Sequence, residues 1–213
     1  MYVAATTWLF VAPGLVDAQL FLDVKNFMYV GLCLVGIWAC RKTIVHGWRE
    51  MRARPVAAGA WVIGGLVLSG LASGLYGIAL LITGKSMNGE NQAAIDAELL
   101  DVSASLPASL YFLGVVGVFA PVVEELVFRE IPLGTLQHKL STPLAFALSS
   151  ITFGVLHLRG VHEWPLAVYY IGSGAALAIA YLKSNRNILV PIAAHMLWNG
   201  IGTAFQLLTT VLR

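Results

Sequence analysis

The chain has 213 residues, of which 58% are hydrophobic and 11% charged, and its mean hydropathy is +0.79. Soluble domains carry about 25% charged residues, so this composition excludes a water-soluble globular domain and indicates an integral membrane protein. The net charge of +2 and the lack of a basic stripe argue against a nucleic-acid partner. We expect one transmembrane domain over residues 1–213, an all-α polytopic bundle of about six or seven membrane-spanning helices.

Six apolar stretches are candidate spans, because a span needs about 20 mostly apolar residues. In chain order they are residues 24–40, 56–82, 103 to beyond 123, 142–158, 165–182 and 188–212. Whether residues 3–22 insert as a seventh span stays open, because Asp17 and Asp23 bracket a weakly apolar stretch. Gly and Ala are abundant in 59–77 and 172–180, which predicts close contacts between helices at these faces.

Charge in the connections predicts the topology. Residues 41–55 hold five Lys or Arg against one acid, which predicts a cytoplasmic position. By alternation, Lys139 and residues 183–187 also lie inside. The acidic connection after residue 83 and the turn at 159–163 then lie outside, and their acids are expected to be solvated: Asp96, Glu98, Asp101 and Glu163, the last beside His162. We expect a multi-pass protein of the cell membrane.

Two adjacent acids, Glu124 and Glu125, lie in the middle of the third apolar stretch. An ionisable side chain in hydrocarbon is costly unless it is paired or faces a wet cavity. Glu125 precedes Arg129 by four residues, so the two share a helix face and can pair. Glu124 is rotated by about 100° from its neighbour, which frees it to face a cavity as a general base. The alternative is a buried ion-pair cluster that only fixes packing.

Two further apolar stretches carry polar side chains at helical spacing. His157 follows Phe153 by four residues, and Asn199 follows His195 by four. The second pair could donate hydrogen bonds in one direction, which suits an oxyanion on a substrate carbonyl. Hydrogen bonding between helices is the alternative for each. The economical interpretation is one water-filled intramembrane pocket that contains an acid, two histidines and an amide.

These patterns together resemble a known family. EExxxR in EELVFR (124–129), FxxxH in FGVLH (153–157) and HxxxN in HMLWN (195–199) occur in the order of the CAAX protease and bacteriocin-processing family, also called CPBP or Abi, of intramembrane proteases. The resemblance covers residues 124–199, inside a motif-bearing core of about 103–212. Residues 1–100 carry no motif.

The resemblance implies an intramembrane endopeptidase that hydrolyses a peptide bond near the C-terminus of a lipid-anchored or membrane-associated substrate. Glu124 would activate a water that His157 helps to hold. His195 and Asn199 would stabilise the oxyanion. The supporting residues would be Glu125, Arg129 and Phe153. We expect the site to open to the cytoplasmic side. Prenylated CAAX proteins, bacteriocin leaders and peptide pheromones all remain open as natural substrates.

The sequence leaves an alternative open for the cofactor. Glu124, His157 and His195 could form a zinc site with three protein ligands, but we expect no cofactor, because the His–Asn pair then has a role. The expected partners are a peptide or lipidated protein substrate and membrane lipid, and no oligomeric state is predicted.

Two other functions stay open. A proton-coupled transporter is one, because buried acids and histidines also form proton relays. A non-catalytic scaffold that binds a partner membrane protein is the other.

Overall fold

The protein is an all-helical bundle in the computed structural model, which describes residues 18–84 and 89–212. These residues contain no strand and form eight helices. In chain order the helices are α1 (Ala18–Ala39), α2 (Arg41–Ala53), α3 (Pro55–Thr83), α4 (Glu90–Val102), α5 (Leu106–Gly134), α6 (Thr142–Leu156), α7 (Leu166–Lys183) and α8 (Leu189–Val211). The predicted fold class, an all-α membrane helix bundle, is confirmed.

Each of the six predicted spans corresponds to a helix, but fewer meet the length and composition of a membrane span. Among the described residues α3, α5 and α7 do, and α1 with α2 is a fourth candidate broken by a 76° bend. With 15 residues, α6 reaches about 22 Å, short of a hydrocarbon core of about 30 Å. The 23 residues of α8 include His195, Asn199 and Gln206. The stretch 3–22, whose insertion the sequence leaves open, lies largely outside the described residues.

Helix α5 carries the paired acids and winds irregularly. It adopts π-helical hydrogen bonding over Val115–Phe119 and Leu126–Gly134. Pro132, inside the second stretch, has no N–H to donate to the preceding turn, which includes the carbonyl of Phe128. That carbonyl accepts a hydrogen bond of 2.5 Å from Ser149 Oγ on α6. The irregular backbone of α5 is therefore satisfied by a neighbouring helix, as membrane burial requires.

Helix α7 lies between α3 and α6, and small residues let the three helices approach closely. A Cβ added to Gly172 on α7 would lie 2.7 Å from the Cβ of Ala72 on α3, and one added to Gly154 on α6 would lie 2.3 Å from Ile171 Cγ1. Side chains larger than hydrogen would separate these helices. The apolar side chains of α3 face outward instead, for example Ile63, Leu71 and Leu81, as expected of a lipid-facing surface.

The acidic connection after α3 is not the solvated loop that its composition predicts. Most of it forms α4, and Glu98 on this helix is buried. Its carboxylate accepts a hydrogen bond of 2.8 Å from Asn26 Nδ2 and pairs with Lys25, both on α1. Because a buried carboxylate needs a compensating charge, the partner on α1 explains why this acid lies inside. Helix α4 is thereby attached to the bundle beside the site described next.

Candidate active site

One cavity brings residues of all three sequence motifs together. It has a volume of about 270 Å³, and its walls come from α1 and from α3 to α8. Glu125 and Arg129 are fully buried and do not line it. The motif residues that line the cavity are Glu124, Phe153, His157, His195 and Asn199.

Glu124 is the carboxylate on which both histidines converge. Its Oε2 lies 3.8 Å from Nε2 of His157 and 3.8 Å from Nε2 of His195. The residue is only 6% exposed. A separation of 3.8 Å is too long for a direct hydrogen bond but can be bridged by one water molecule. The arrangement can therefore hold a small polar molecule between one carboxylate and two imidazoles.

Glu125 joins His195 to Arg129 behind the cavity. Its Oε1 accepts a hydrogen bond of 2.8 Å from His195 Nδ1, and its Oε2 lies 3.1 Å from Arg129 Nε. The second contact is a close ion pair without hydrogen-bond alignment, because neither atom has a hydrogen-bond partner. The pairing of Glu125 with Arg129 that the sequence predicts is present, while the bond to His195 was not foreseen.

Arg129 fixes the walls around this cluster. Its Nη2 donates to the carbonyl of Gly174 on α7 at 3.1 Å, and its guanidinium lies over the ring of Phe153, 4.7 Å from the centroid. A guanidinium over an aromatic face is an attractive contact. Three helices, α5, α6 and α7, are held together by this one buried side chain.

The hydrogen bonds of the two histidines determine which nitrogen each directs at Glu124. His157 Nδ1 lies 2.7 Å from the carbonyl of Phe153, which can only accept, so Nδ1 carries the proton. His195 Nδ1 must likewise donate to the carboxylate of Glu125. Both Nε2 atoms therefore point toward Glu124 as acceptors when the rings are neutral, and His195 can donate from Nε2 only when it is protonated.

Aromatic rings hold His157 in place where α6 ends. Its imidazole lies 4.4 Å from the ring of Phe153 and stacks on Tyr170 at 5.0 Å. Phe153 also meets His195 edge to face at 5.9 Å. Phe153 thus touches both histidines. Tyr170 carried no signal in the sequence, because an aromatic residue in an apolar helix usually serves packing.

Asn199 occupies a place created by the π-helical turn of α5. Ala120 N–H donates to the carbonyl of Val115, five residues back. In that register residue 121 would donate next to Val116, but Pro121 has no N–H. Asn199 Nδ2 donates to the Val116 carbonyl at 3.3 Å. An amide has two N–H donors, so one donor satisfies α5 and the other remains for the cavity.

Glu163 is a second acid that sequence reasoning misjudged. It was expected to be a solvated partner of His162, but it is 1% exposed. Its two carboxylate oxygens accept hydrogen bonds from the backbone N–H groups of Glu90 at 2.5 Å and Arg159 at 2.7 Å. It therefore ties the first residue of α4 to the turn that follows His157. Two unsatisfied backbone donors on separate elements explain the burial, and neither is visible in the sequence.

Comparisons with known proteins bear on the same region. A family model described as type II CAAX prenyl endopeptidase Rce1-like matches residues 106–201. YdiL of Bacillus subtilis (strain 168), named as a membrane peptidase, is 32% identical over 148 residues, which are 69% of this chain and 56% of that protein. MroQ of Staphylococcus aureus (strain USA300), named as a membrane-embedded CAAX protease, is 28% identical over 141 residues, 63% of this chain and 54% of that protein.

Over residues 106–201 the chain is similar to the CAAX protease and bacteriocin-processing family. It spans about half the length of the curated relatives it matches. No solved structure matches it significantly. The region shared with the family model, 106–201, contains every residue of the three motifs, and the cavity is where those motifs meet. The resemblance inferred from the motifs is thus confirmed at the level of the family.

Proposed function

We propose that this protein is a member of the CAAX protease and bacteriocin-processing family and an intramembrane endopeptidase in which Glu124 activates a water molecule. One observation carries the proposal: Nε2 of His157 and Nε2 of His195 each lie 3.8 Å from the same oxygen of Glu124, inside a cavity. The names of the family and of its two relatives favour peptide hydrolysis. The roles of individual residues and the substrate are part of the proposal.

The carboxylate of Glu124 and the imidazole of His157 hold the water. It donates one hydrogen to Glu124 Oε2 and the other to His157 Nε2, which is an acceptor because Nδ1 is protonated. The oxygen lone pair is then directed at the substrate carbonyl carbon. As the C–O bond forms, the first proton passes to Glu124, which acts as a general base. Such a group contributes about 10²–10⁴-fold to a rate.

The oxyanion is stabilised from α8. When His195 carries a proton on Nε2, that N–H and the free N–H of Asn199 donate to the developing negative oxygen. Glu125 holds the ring by accepting the hydrogen bond from Nδ1, which leaves Nε2 directed at the cavity. Collapse of the tetrahedral intermediate breaks the C–N bond, and the proton held by Glu124 passes to the leaving amine. The new carboxyl group then gives the second water proton to the amine, so that the products are a carboxylate and an ammonium group, and the enzyme is restored.

A metal ion is the alternative to the His195 and Asn199 oxyanion site. The donor types suit a divalent ion: Glu124, His157 and His195 would be its ligands, and each histidine donates its Nδ1–H to a carbonyl or carboxylate, as metal-bound histidines do. A bound ion would supply Lewis-acid activation of water. Among the described residues, though, the group whose candidate ligand atoms all lie within 4.8 Å of one another is Glu90, His162 and Glu163. The candidate ligand atoms of Glu124, His157 and His195 do not all lie that close to one another, which favours the mechanism without metal.

The side from which the cavity is reached requires a choice between two expectations. The cavity is lined by Lys25 at the start of α1 and by Asn91 on α4. The basic helix α2 follows the other end of α1, about 20 Å away at 1.5 Å per residue. If the charges of α2 place it in the cytoplasm, the cavity opens toward the opposite face. We propose this opening in place of the cytoplasmic access expected from the resemblance.

Access can be measured by thiol labelling. Asn91→Cys, in a background where Cys33 and Cys40 are replaced by Ala, is treated in intact cells with a membrane-impermeant maleimide, and Arg49→Cys on α2 serves as the control. We expect labelling of Asn91→Cys from outside and protection of Arg49→Cys. The reverse pattern would restore cytoplasmic access.

Turnover is tested with the purified protein in lipid vesicles. Prenylated C-terminal peptides, their unprenylated forms and hydrophobic leader peptides are incubated with wild type and with Glu124→Ala, with and without chelator, and products are identified by mass spectrometry. We expect wild type to cleave at least one class near its C-terminus irrespective of chelator, and Glu124→Ala to cleave none. Equal cleavage by the variant would overturn the role of Glu124. Loss of cleavage with chelator, restored by one metal, would favour the zinc alternative.

A further inference from the structure

Helix α2 presents two chemically different faces. Its inner face, with Thr43, Ile44, Gly47 and Met51, lies against the bundle. Its outer face combines apolar side chains with positive charge. Val45 is 47% exposed and Trp48 57% exposed, and the exposed basic residues of this segment are Arg41, Lys42, Arg49, Arg52 and Arg54.

The inner face is bonded to the helix that carries the paired acids. Thr43 Oγ1 donates to Glu130 Oε1 at 3.1 Å. Glu130 is buried, directly follows Arg129 on α5, and also accepts a hydrogen bond of 3.1 Å from the hydroxyl of Tyr181 on α7. A displacement of α2 would therefore be transmitted to the part of α5 that holds Arg129 against Glu125.

A second bond reaches the helix that carries His195. Asn187 Nδ2 donates to the carbonyl of Gly47 at 2.9 Å, and Asn187 Oδ1 accepts from the backbone N–H of Leu189, at the start of α8, at 3.1 Å. The contact is tight, because a Cβ added to Gly47 would lie 2.5 Å from Asn187 Oδ1. The bond from Thr43 to Glu130 connects α2 to α5, which carries Glu124. The bonds of Asn187 connect α2 to α8, which carries His195.

We propose that the outer face of α2 binds the headgroups of anionic phospholipids and that this binding supports the geometry of the active site. Charge complementarity identifies the occupant: five exposed basic residues stand against Glu50, which is half-buried. Basic side chains interleaved with Trp and Val are typical of a helix lying in the headgroup layer. Trp38, exposed at the end of α1 with the guanidinium of Arg41 5.2 Å from its ring centroid, is an aromatic side chain of the kind found at that level.

Binding is tested without reference to catalysis. Wild type in neutral detergent is heated with added phosphatidylglycerol, phosphatidylcholine or inorganic phosphate, and its melting temperature is recorded. Arg49→Gln/Arg52→Gln removes two charges from α2. Lys139→Gln/Lys183→Gln is the matched control, because it removes two exposed lysines outside α2 that the charge pattern predicts on the same side.

We expect phosphatidylglycerol to raise the melting temperature of wild type and of the lysine control, and to raise that of the arginine variant by less than half as much. An equal effect of phosphatidylcholine, reproduction of the shift by inorganic phosphate, or an equal loss in the lysine control would each overturn the proposal that α2 is the binding surface.

The effect on the active site rests on the proposed function and is tested with Thr43→Val, which keeps the side-chain shape and removes the bond to Glu130. In vesicles containing phosphatidylglycerol we expect wild-type turnover to exceed that in phosphatidylcholine by about fivefold or more. Thr43→Val should keep the lipid-dependent thermal shift and lose this increase. A lipid-independent wild-type rate, or a variant that keeps the increase, would overturn the coupling. If the wild type hydrolyses no peptide, the proposed function fails while the thermal test of lipid binding still stands.

Discussion

His195 Nδ1 donates a hydrogen bond of 2.8 Å to Glu125 Oε1, joining residues 70 positions apart in the chain. The bond gives Glu125 a second function beside its pairing with Arg129. It fixes the ring orientation of His195 and directs Nε2 at the oxygen of Glu124 that His157 also faces. The two adjacent acids therefore act on the same histidine, one from behind and one across the cavity.

Replacing Glu125 by Gln should impair the chemical step more than substrate binding. The amide keeps the shape but removes the negative charge that accepts the hydrogen bond from His195 Nδ1, and its orientation no longer dictates the tautomer. By analogy with other acid–histidine pairs, we expect kcat to fall by about 10²–10⁴-fold with KM little changed. Steady-state kinetics on a folded variant measures this, and a wild-type kcat would show that Glu125 serves packing alone.

Removing Arg129 should destabilise the fold, because Glu125 and Arg129 are both 0% exposed. Breaking a buried ion pair by removing one partner costs about 3–5 kcal/mol. We expect Arg129→Met to show a large loss in reversible denaturant unfolding. The double variant Glu125→Gln/Arg129→Met should recover part of that loss, since no buried charge is left uncompensated. Simply additive losses would contradict a direct interaction between the two side chains.

Adjacent serines on α6 provide a matched test of how α5 is held. Ser149 Oγ donates to the Phe128 carbonyl of α5, whereas Ser150 Oγ donates to Phe146 on its own helix. Ser149→Ala should lower stability by about 0.5–1.5 kcal/mol, the net contribution of one such bond. Ser150→Ala should change it far less, because a bond within one helix connects no neighbour. Equal melting temperatures for the two variants would show that the hydrogen bond from Ser149 to Phe128 does not stabilise α5.

Glu163→Gln should loosen the turn after His157. Both carboxylate oxygens accept backbone N–H groups, and an amide presents a donor to one of them. An unsatisfied buried donor costs about 1–3 kcal/mol, so we expect lower stability and, because His157 and α4 line the cavity, a lower kcat/KM. His162→Gln is the control, since its exposed contact with Glu90 contributes about 0–1 kcal/mol. If His162→Gln lowers stability and kcat/KM as much as Glu163→Gln does, the hydrogen bonds of Glu163 to the turn and to α4 are not the cause of the decrease.

The sequence predicted the fold class and the residues that share the cavity, because polar side chains at helical spacing inside apolar stretches are expensive and therefore informative. Glu124, His157 and His195 could be identified in this way. Glu163 and Glu98 could not, since an acid in a polar connection normally stays in water. Their burial depends on partners far along the chain, namely the backbone N–H groups of Glu90 and Arg159, and Lys25 with Asn26.

The sequence also did not predict the irregular hydrogen bonding of α5. Pro121 and Pro132 indicate disturbed hydrogen bonding, but which carbonyls lose their partners depends on the π-helical register. Only the structure places Ser149 and Asn199 against Phe128 and Val116. Hydropathy likewise does not reveal the bend after Ala39 or the early end of α6.

The most direct measurement compares the turnover of Glu124→Gln with that of Glu130→Gln in purified protein in phosphatidylcholine vesicles, where the proposed increase with anionic lipid is absent. Both changes neutralise a buried acid of α5, but Glu124 faces the two histidines and Glu130 bonds to Thr43 and Tyr181. We expect Glu124→Gln to lose at least about 10²-fold in kcat with unchanged melting temperature, and Glu130→Gln to retain most activity. A Glu124→Gln protein that hydrolyses peptide at the wild-type rate would contradict the role of this carboxylate as the base.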